Sequence, residues 1–195
     1  SGRDFVTVSK LALDGGIFAV FFFASLFPTF LTRQIIYGSP FETGYPGILT
    51  WNWTSPVLLK ILFSSNHGMF AWTPLLLLAV LGLPFLIRRD ALLGWGSLVT
   101  FLAFYYFIAS YPDWDGISSF GNRFFVSLTS IFILGLSALL SALSKWLGKP
   151  ARAAGVALPL LAFFIVWNIG LIFQWGTQMI PARGEISWKT MVHNQ

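Results

Sequence analysis

A chain of 195 residues with 10% charged and 56% apolar side chains lies far outside the composition of soluble domains, where about a quarter of residues are charged. The formal charge of +5 is no nucleic-acid signal, because the basic residues stand at the ends of apolar runs, where they meet headgroups and set orientation. The absence of cysteine excludes disulfides, thiolate metal sites and thiol catalysis.

The charge-free runs Gly15–Thr32, Ala91–Pro112, Phe124–Ser144 and Ala153–Ala182, with Ile61–Ile87 whose only titratable group is His67, are each long enough to cross about 30 Å of hydrocarbon. Alternation of apolar and polar residues, which a transmembrane barrel needs, is missing. The predicted class is an all-α polytopic bundle forming one membrane domain over residues 1–195.

In chain order, Ser1–Asp14 reads as an amphiphilic flanking loop. Its character, that of the middle of a sequence, suggests a portion of a longer chain. The first span covers 15–31, with Pro28 set to kink or end it. Tyr37–Trp53 is an irregular loop rich in Gly, Pro and aromatics. Thr54 or Ser55 is placed to cap an interfacial helix over 56–66, with Pro56 at its first position. If that helix persists to His67, then Lys60, Ser64 and His67 share one face. Otherwise Lys60 simply snorkels and His67 ends the helix beside Gly68. Spans over 69–87 and 91–111 follow as an antiparallel hairpin. A fourth covers 124–143, with Ser130, Ser137, Ala138 and Ser141 as a small-residue face suited to close packing. A fifth covers 153–175, and a polar tail follows.

Five spans bring the segment before span one, the turn at 88–90 and the turn at 145–152 to one side of the membrane. That side collects Arg3, Lys10, Arg88, Arg89, Lys145, Lys149 and Arg152, against Arg33, Lys60, Arg123, Arg183 and Lys189 on the other. The short basic turns predict the cytoplasmic face. The loops 32–68 and 112–122 then share the outer face with the tail, the natural place for a site built on loops.

Arg123 is the leading candidate residue there. At the start of span four, beside Ser118, Ser119 and Gly121, it suits a phosphate at headgroup depth, or it anchors the span. Asp113 and Asp115 flank Trp114. They either bind a divalent cation, serve as a base, or are solvated turn residues. Trp51, Trp53, Trp72 and Trp114 suit stacking on a sugar, or an interfacial belt. A Gly-rich phosphate loop followed by Lys, a zinc-type His pair and a Ser/His/Asp set are all missing, so no cofactor is predicted.

Three strings carry a resemblance: YGSPFETGY (Tyr37–Tyr45), LFSSNHGMFAWTPLLLLAVLGL (Leu62–Leu83) and WDGISSFGNRFF (Trp114–Phe125). Together they resemble the C-terminal membrane region of bacterial GT-C-type glycosyltransferases, relatives of the protein mannosyltransferase and aminoarabinose transferase families. Met69 stands where that pattern has Leu, and Gly116-Ile117 where it has a Gly pair. The resemblance covers roughly Tyr37–Leu136. It implies sugar transfer from a polyprenyl-phosphate carrier on the outer face of the bacterial inner membrane. Arg123, with Lys60 and His67, would receive the lipid phosphate, and Trp114, Asp113, Asp115 and Tyr37 would form the substrate loop. The family's catalytic acidic residue, in the first outer loop, has no counterpart here, since Asp14 and Glu42 stand in other contexts. The chain alone is therefore expected to be inactive. The alternative reading is a non-catalytic transmembrane subunit scaffolding a larger respiratory or photosynthetic type of complex, with membrane lipids and other subunits as partners. A transporter is disfavoured because no charge lies within a span.

Overall fold

The computed structural model describes residues 2–44, 47–181 and 186–194, with side chains described from Ser9 onward. Tyr45, the end of the first resemblance string, and Arg183 and the Arg3 side chain, used in the charge count, lie outside the described residues. Regular structure among the described residues is entirely helical, as the composition predicts. Where one domain is expected, the chain divides into two compact units, Ser1–Leu49 and Thr50–Gln195.

The first unit is built on α1, Gly2–Tyr37. The predicted flanking loop is part of this helix, and Pro28 interrupts its hydrogen bonding without ending it. The Thr32 hydroxyl donates to the Pro28 carbonyl at 2.8 Å. Phe18, Phe21, Ile35 and Ile36 are all exposed, so α1 presents apolar side chains to its surroundings, as a lipid-facing helix does.

In the second unit, α2 is Leu58–Phe63, α3 Met69–Trp72, α4 Leu75–Arg89, α5 Ala91–Ser110, α6 Thr129–Trp146, α7 Pro150–Gly176 and α8 Trp188–His193. Across the described residues, four helices are long and apolar enough to cross a membrane: Ser9–Tyr37, Ala91–Ser110, Arg123–Trp146 and Pro150–Gly176. The predicted span over 69–87 is not among them. Pro74 has no N–H to return to Phe70 and forces Thr73 out of helical geometry (φ −134°, ψ 76°), which divides the segment into α3 and α4. With 15 residues, α4 extends only about 22 Å.

The break exposes carbonyls that a continuous helix would have bonded. Two side chains of α7 receive them: Trp167 Nε1 donates to Ala71 O at 3.1 Å, and Asn168 Nδ2 donates to Trp72 O. A lone amide in an apolar span is costly unless it meets such a partner, and Asn168 meets one.

α4 and α6 run in parallel and form the densest pairing, with α5 returning between them. A Cβ on Gly82 would collide with the Gly135 carbonyl, and one on Gly135 with that of Ala79. The contact face of α6 is therefore Phe132, Gly135 and Ala138, all buried. Of the expected small-residue face only Ala138 belongs to it. Ser130 and Ser137 are exposed and Ser141 is half-buried.

α2 is shorter than predicted. It begins after Val57 with no side-chain cap, and Pro56 precedes it. The segment before it serves α5 instead: Asn52 N and Val57 N donate to the Ser110 and Ala109 carbonyls at 2.8 and 2.9 Å. Tyr105 and Tyr106 hydroxyls reach back to Leu58 O and Trp53 O at 2.7 and 2.6 Å. This places the 51–68 region at the same end of the unit as the loop that leaves α5. The turns at 88–90 and 145–152 meet at the other end, where Arg88, Arg89 and Lys145 line one cleft.

Candidate functional site

The helix face that would unite Lys60, Ser64 and His67 does not form. α2 stops at Phe63, Ser64 is extended (φ −64°, ψ 141°), and His67 lies in the left-handed region at φ 61°. The turn is held by Asn66 N donating to Ser64 Oγ at 3.0 Å and Gly68 N to Ser64 O at 2.9 Å. Gly68 is required there, because a Cβ would strike the Ser64 backbone.

This turn sends His67 inward and fully out of solvent, which removes it as a headgroup ligand. Its ring stacks on Trp72 with centroids 4.7 Å apart, and Nδ1 donates to the Gly121 carbonyl at 3.2 Å. Nε2 is buried without a partner. Trp72, also fully buried, donates from Nε1 to Ser65 O at 2.8 Å, and its edge meets Phe120. It is neither a belt residue nor a sugar platform. Trp51 and Trp53 stack on one another and pack on Phe107 at the end of α5.

The 113–122 loop is tied to the same turn. Asp115 Oδ2 accepts from Asn66 Nδ2 at 3.0 Å, and its Oδ1 accepts from Ile117 N at 3.1 Å. Oδ2 thus ties the two loops together, while Oδ1 holds the turn of its own loop. The Asp113 carboxylate accepts a long 3.4 Å contact from the Tyr111 hydroxyl, its backbone carbonyl accepts from Gly116 N at 3.0 Å, and Asn122 Nδ2 donates to Trp114 O at 2.8 Å. Among the described residues no three His, Asp or Glu side chains converge as metal ligands. The two carboxylates therefore read as loop structure.

What these ties assemble is a cleft of about 420 Å³. Leu59, Lys60 and Phe63 of α2 form one wall, Ser64, Ser65 and Asn66 another, and Trp114 and Ile186 close it. Lys60 brings a mobile positive charge. Ser64 Oγ already accepts from Asn66 N, so its proton is free to donate. Asn66 donates from Nδ2 to Asp115, and its Oδ1 is buried without a partner. Trp114 is half-buried, with an indole available as an apolar wall.

Arg123 stands outside this cleft. It is exposed, its guanidinium 5.6 Å from the centre of the Phe124 ring and its stem beside Gly116. Nor does an α-helix begin there, because Arg123–Leu128 is a 3₁₀ segment and α6 starts at Thr129. Tyr37 ends α1 in the first unit, where its hydroxyl lies against Gly44.

Ile186 was not foreseen. The tail, read as polar, buries Ile180, Ile186 and Met191 against Trp72 and Leu171, and Gln174 Nε2 donates to Met191 O at 3.2 Å. The Ser65 hydroxyl donates to the Ile186 carbonyl, fastening the tail to the cleft. The available signal was three large apolar residues in a polar stretch, with Ser187 placed to cap α8.

Gly116 and Ile117 both take positive φ, 76° and 63°. A glycine pair adopts this backbone without cost, whereas a β-branched residue is strained there. Ile117→Gly is expected to raise stability by about 0.5–1 kcal/mol, the relief of left-handed strain less the added chain entropy. Comparing unfolding midpoints of the two proteins in one detergent checks this.

No family model, curated protein or solved structure matches the chain.

Proposed function

We propose that the chain is the headgroup-binding part of a GT-C-like integral-membrane glycosyltransferase, holding the phosphate and first sugar of a polyprenyl-phosphate donor in the Lys60–Trp114 cleft. The observation that carries this reading is the convergence of a cation, a free hydroxyl donor and an indole in one cleft. Lys60 meets the phosphate, Ser64 donates to it, and Trp114 covers the ring's apolar face. Asp115 positions Asn66 and the Trp114 loop. The basic turns, gathered at the opposite end of the unit, support an orientation with those turns in the cytoplasm and the cleft outside. No residue is assigned to the chemical step, in keeping with an acidic catalytic group supplied from elsewhere.

The test is binding of a polyprenyl-phosphate sugar to purified protein in nanodiscs. Lys60→Gln is expected to weaken binding about 10- to 100-fold, the worth of a hydrogen bond to a charged group, and Trp114→Ala about 3- to 10-fold. Arg123→Gln should change it less than about 3-fold, since that side chain stands outside the cleft. Unaltered binding in Lys60→Gln, with loss in Arg123→Gln, would sink the assignment.

The exposed apolar surface of α1 favours a second reading, a scaffold subunit whose long helix packs on neighbouring subunits. That reading requires stable co-purification with partners under mild detergent, with no effect of Lys60→Gln on assembly.

A further inference from the structure

At the end of the second unit remote from the Lys60–Trp114 cleft, α4 and α6 finish side by side. Their last turns enclose a second cleft, about 200 Å³ in volume. Arg88 and Arg89 come to it from α4 and Lys145 from α6, while Ala138, Ser141 and Ala142 leave the α6 side low. Among the described residues no carboxylate lines it. Asp90, the nearest in sequence, uses Oδ1 to cap α5 through Leu93 N at 3.0 Å.

Ordinary interfacial anchoring accounts for basic residues at helix ends, one at a time. It does not account for three cations from two helices around one notch floored by small side chains. Like charges lining one cleft repel one another, and an anion between them offsets that repulsion. The negative ends of the α4 and α6 dipoles favour the cations but leave their donors unoccupied. Arg88 is partly engaged, 5.9 Å from the centre of the Phe85 ring, which fixes its plane at the cleft wall.

Depth narrows the ligand. Arg123–Trp146 is a helix able to cross a membrane, and Lys145 stands at its end, where such a helix leaves the hydrocarbon. A phosphate at that level belongs to a lipid headgroup. We propose that this cleft binds a phosphodiester, held by Arg88, Arg89, Lys145 and the Ser141 hydroxyl. The glycerol and first acyl carbons of an anionic phospholipid would lie over Ala138 and Ala142. The site is independent of the donor cleft, and its failure would leave that reading intact.

The experiment measures phosphatidylglycerol affinity of the detergent-purified protein by native mass spectrometry, with phosphatidylcholine as the neutral comparison. Two double variants remove the same charge. Arg88→Gln/Lys145→Gln empties the cleft, and Lys149→Gln/Arg152→Gln neutralises the adjacent turn. The first is expected to weaken phosphatidylglycerol binding on the order of 30-fold at physiological salt, the second less than about 5-fold. Ser141→Leu, which fills the notch without touching a charge, should also abolish binding. Displacement of the lipid by millimolar inorganic phosphate would identify free phosphate as the natural occupant of the same site. Persistence of the lipid would identify the headgroup. Equal losses in the two double variants, full affinity in Ser141→Leu, or equal binding of phosphatidylcholine would each overturn the proposal.

Discussion

Gly135→Leu is expected to destabilise the Thr50–Gln195 unit by at least about 3 kcal/mol, the upper part of the range for overpacking a rigid contact. The reason is backbone against backbone. Positions 82 and 135 have room for hydrogen only, and the obstruction is the carbonyl of the facing helix rather than a side chain that can swing aside. Accommodating even one methyl requires α4 and α6 to separate, which loosens every contact between Leu83, Leu86, Phe132 and Ala138. Gly96→Ala in α5 and Gly155→Ala in α7 provide the comparison. Nothing lies within 4 Å of a Cβ at either position. Helix propensity alone then acts, so these variants should be unchanged or up to about 1 kcal/mol more stable. Unfolding by SDS titration in mixed micelles distinguishes the cases. A Gly135→Leu protein within about 0.5 kcal/mol of the parent would show that the helices can part freely.

Trp72→Ala is the second large effect, expected to cost about 3–5 kcal/mol. Trp72 is fully buried and is touched by three different parts of the unit: the His67 ring, Phe120 of the 113–122 loop and, through its carbonyl, Asn168 of α7. Its Nε1 also holds the carbonyl of Ser65. Trp72→Phe keeps much of the volume and removes one of that carbonyl's two donors, His67 N remaining at 3.1 Å, so about 0.5–1.5 kcal/mol is expected. Both variants should lose polyprenyl-phosphate sugar binding although Trp72 does not line the cleft, because Ser65 and the turn beside it do. Binding retained at full strength in a folded Trp72→Ala protein would separate the cleft from its support.

The membrane class, α5 and α7 were legible because each rests on one local cause, a long apolar run with a cap or basic turn at its end. Asp90 capping α5 is the clearest case. The division of 69–87 was half legible. Pro74 is visible in the sequence, but only α7 shows why the break is tolerated, since Asn168 and Trp167 arrive from nearly a hundred residues away. His67 was misplaced for a different reason. Spacing of four and three implies a shared face only while the helix lasts, and an extended Ser64 followed by a left-handed His67 reverses the side chain's direction. Arg123 was read as standing at an α-helix N-terminus, whereas the first turns there are 3₁₀. Lys60 and Trp114 were each singled out, but nothing local says that they line the same cleft. That depends on the Asn66–Asp115 hydrogen bond and on Ile186, both long-range.

The fastening of Ile186 to Ser65 has a consequence for biosynthesis. The wall it supplies belongs to a part of the chain made after all the membrane-crossing helices of the unit. While the ribosome is still making α7, the Lys60–Trp114 cleft lacks that wall, and Trp72 and Ser65 await a cover that has not yet been synthesised. On the headgroup-binding reading proposed above, competence is timed to the synthesis of this segment. A nascent chain arrested before residue 186 would be threaded in the membrane yet open at its site.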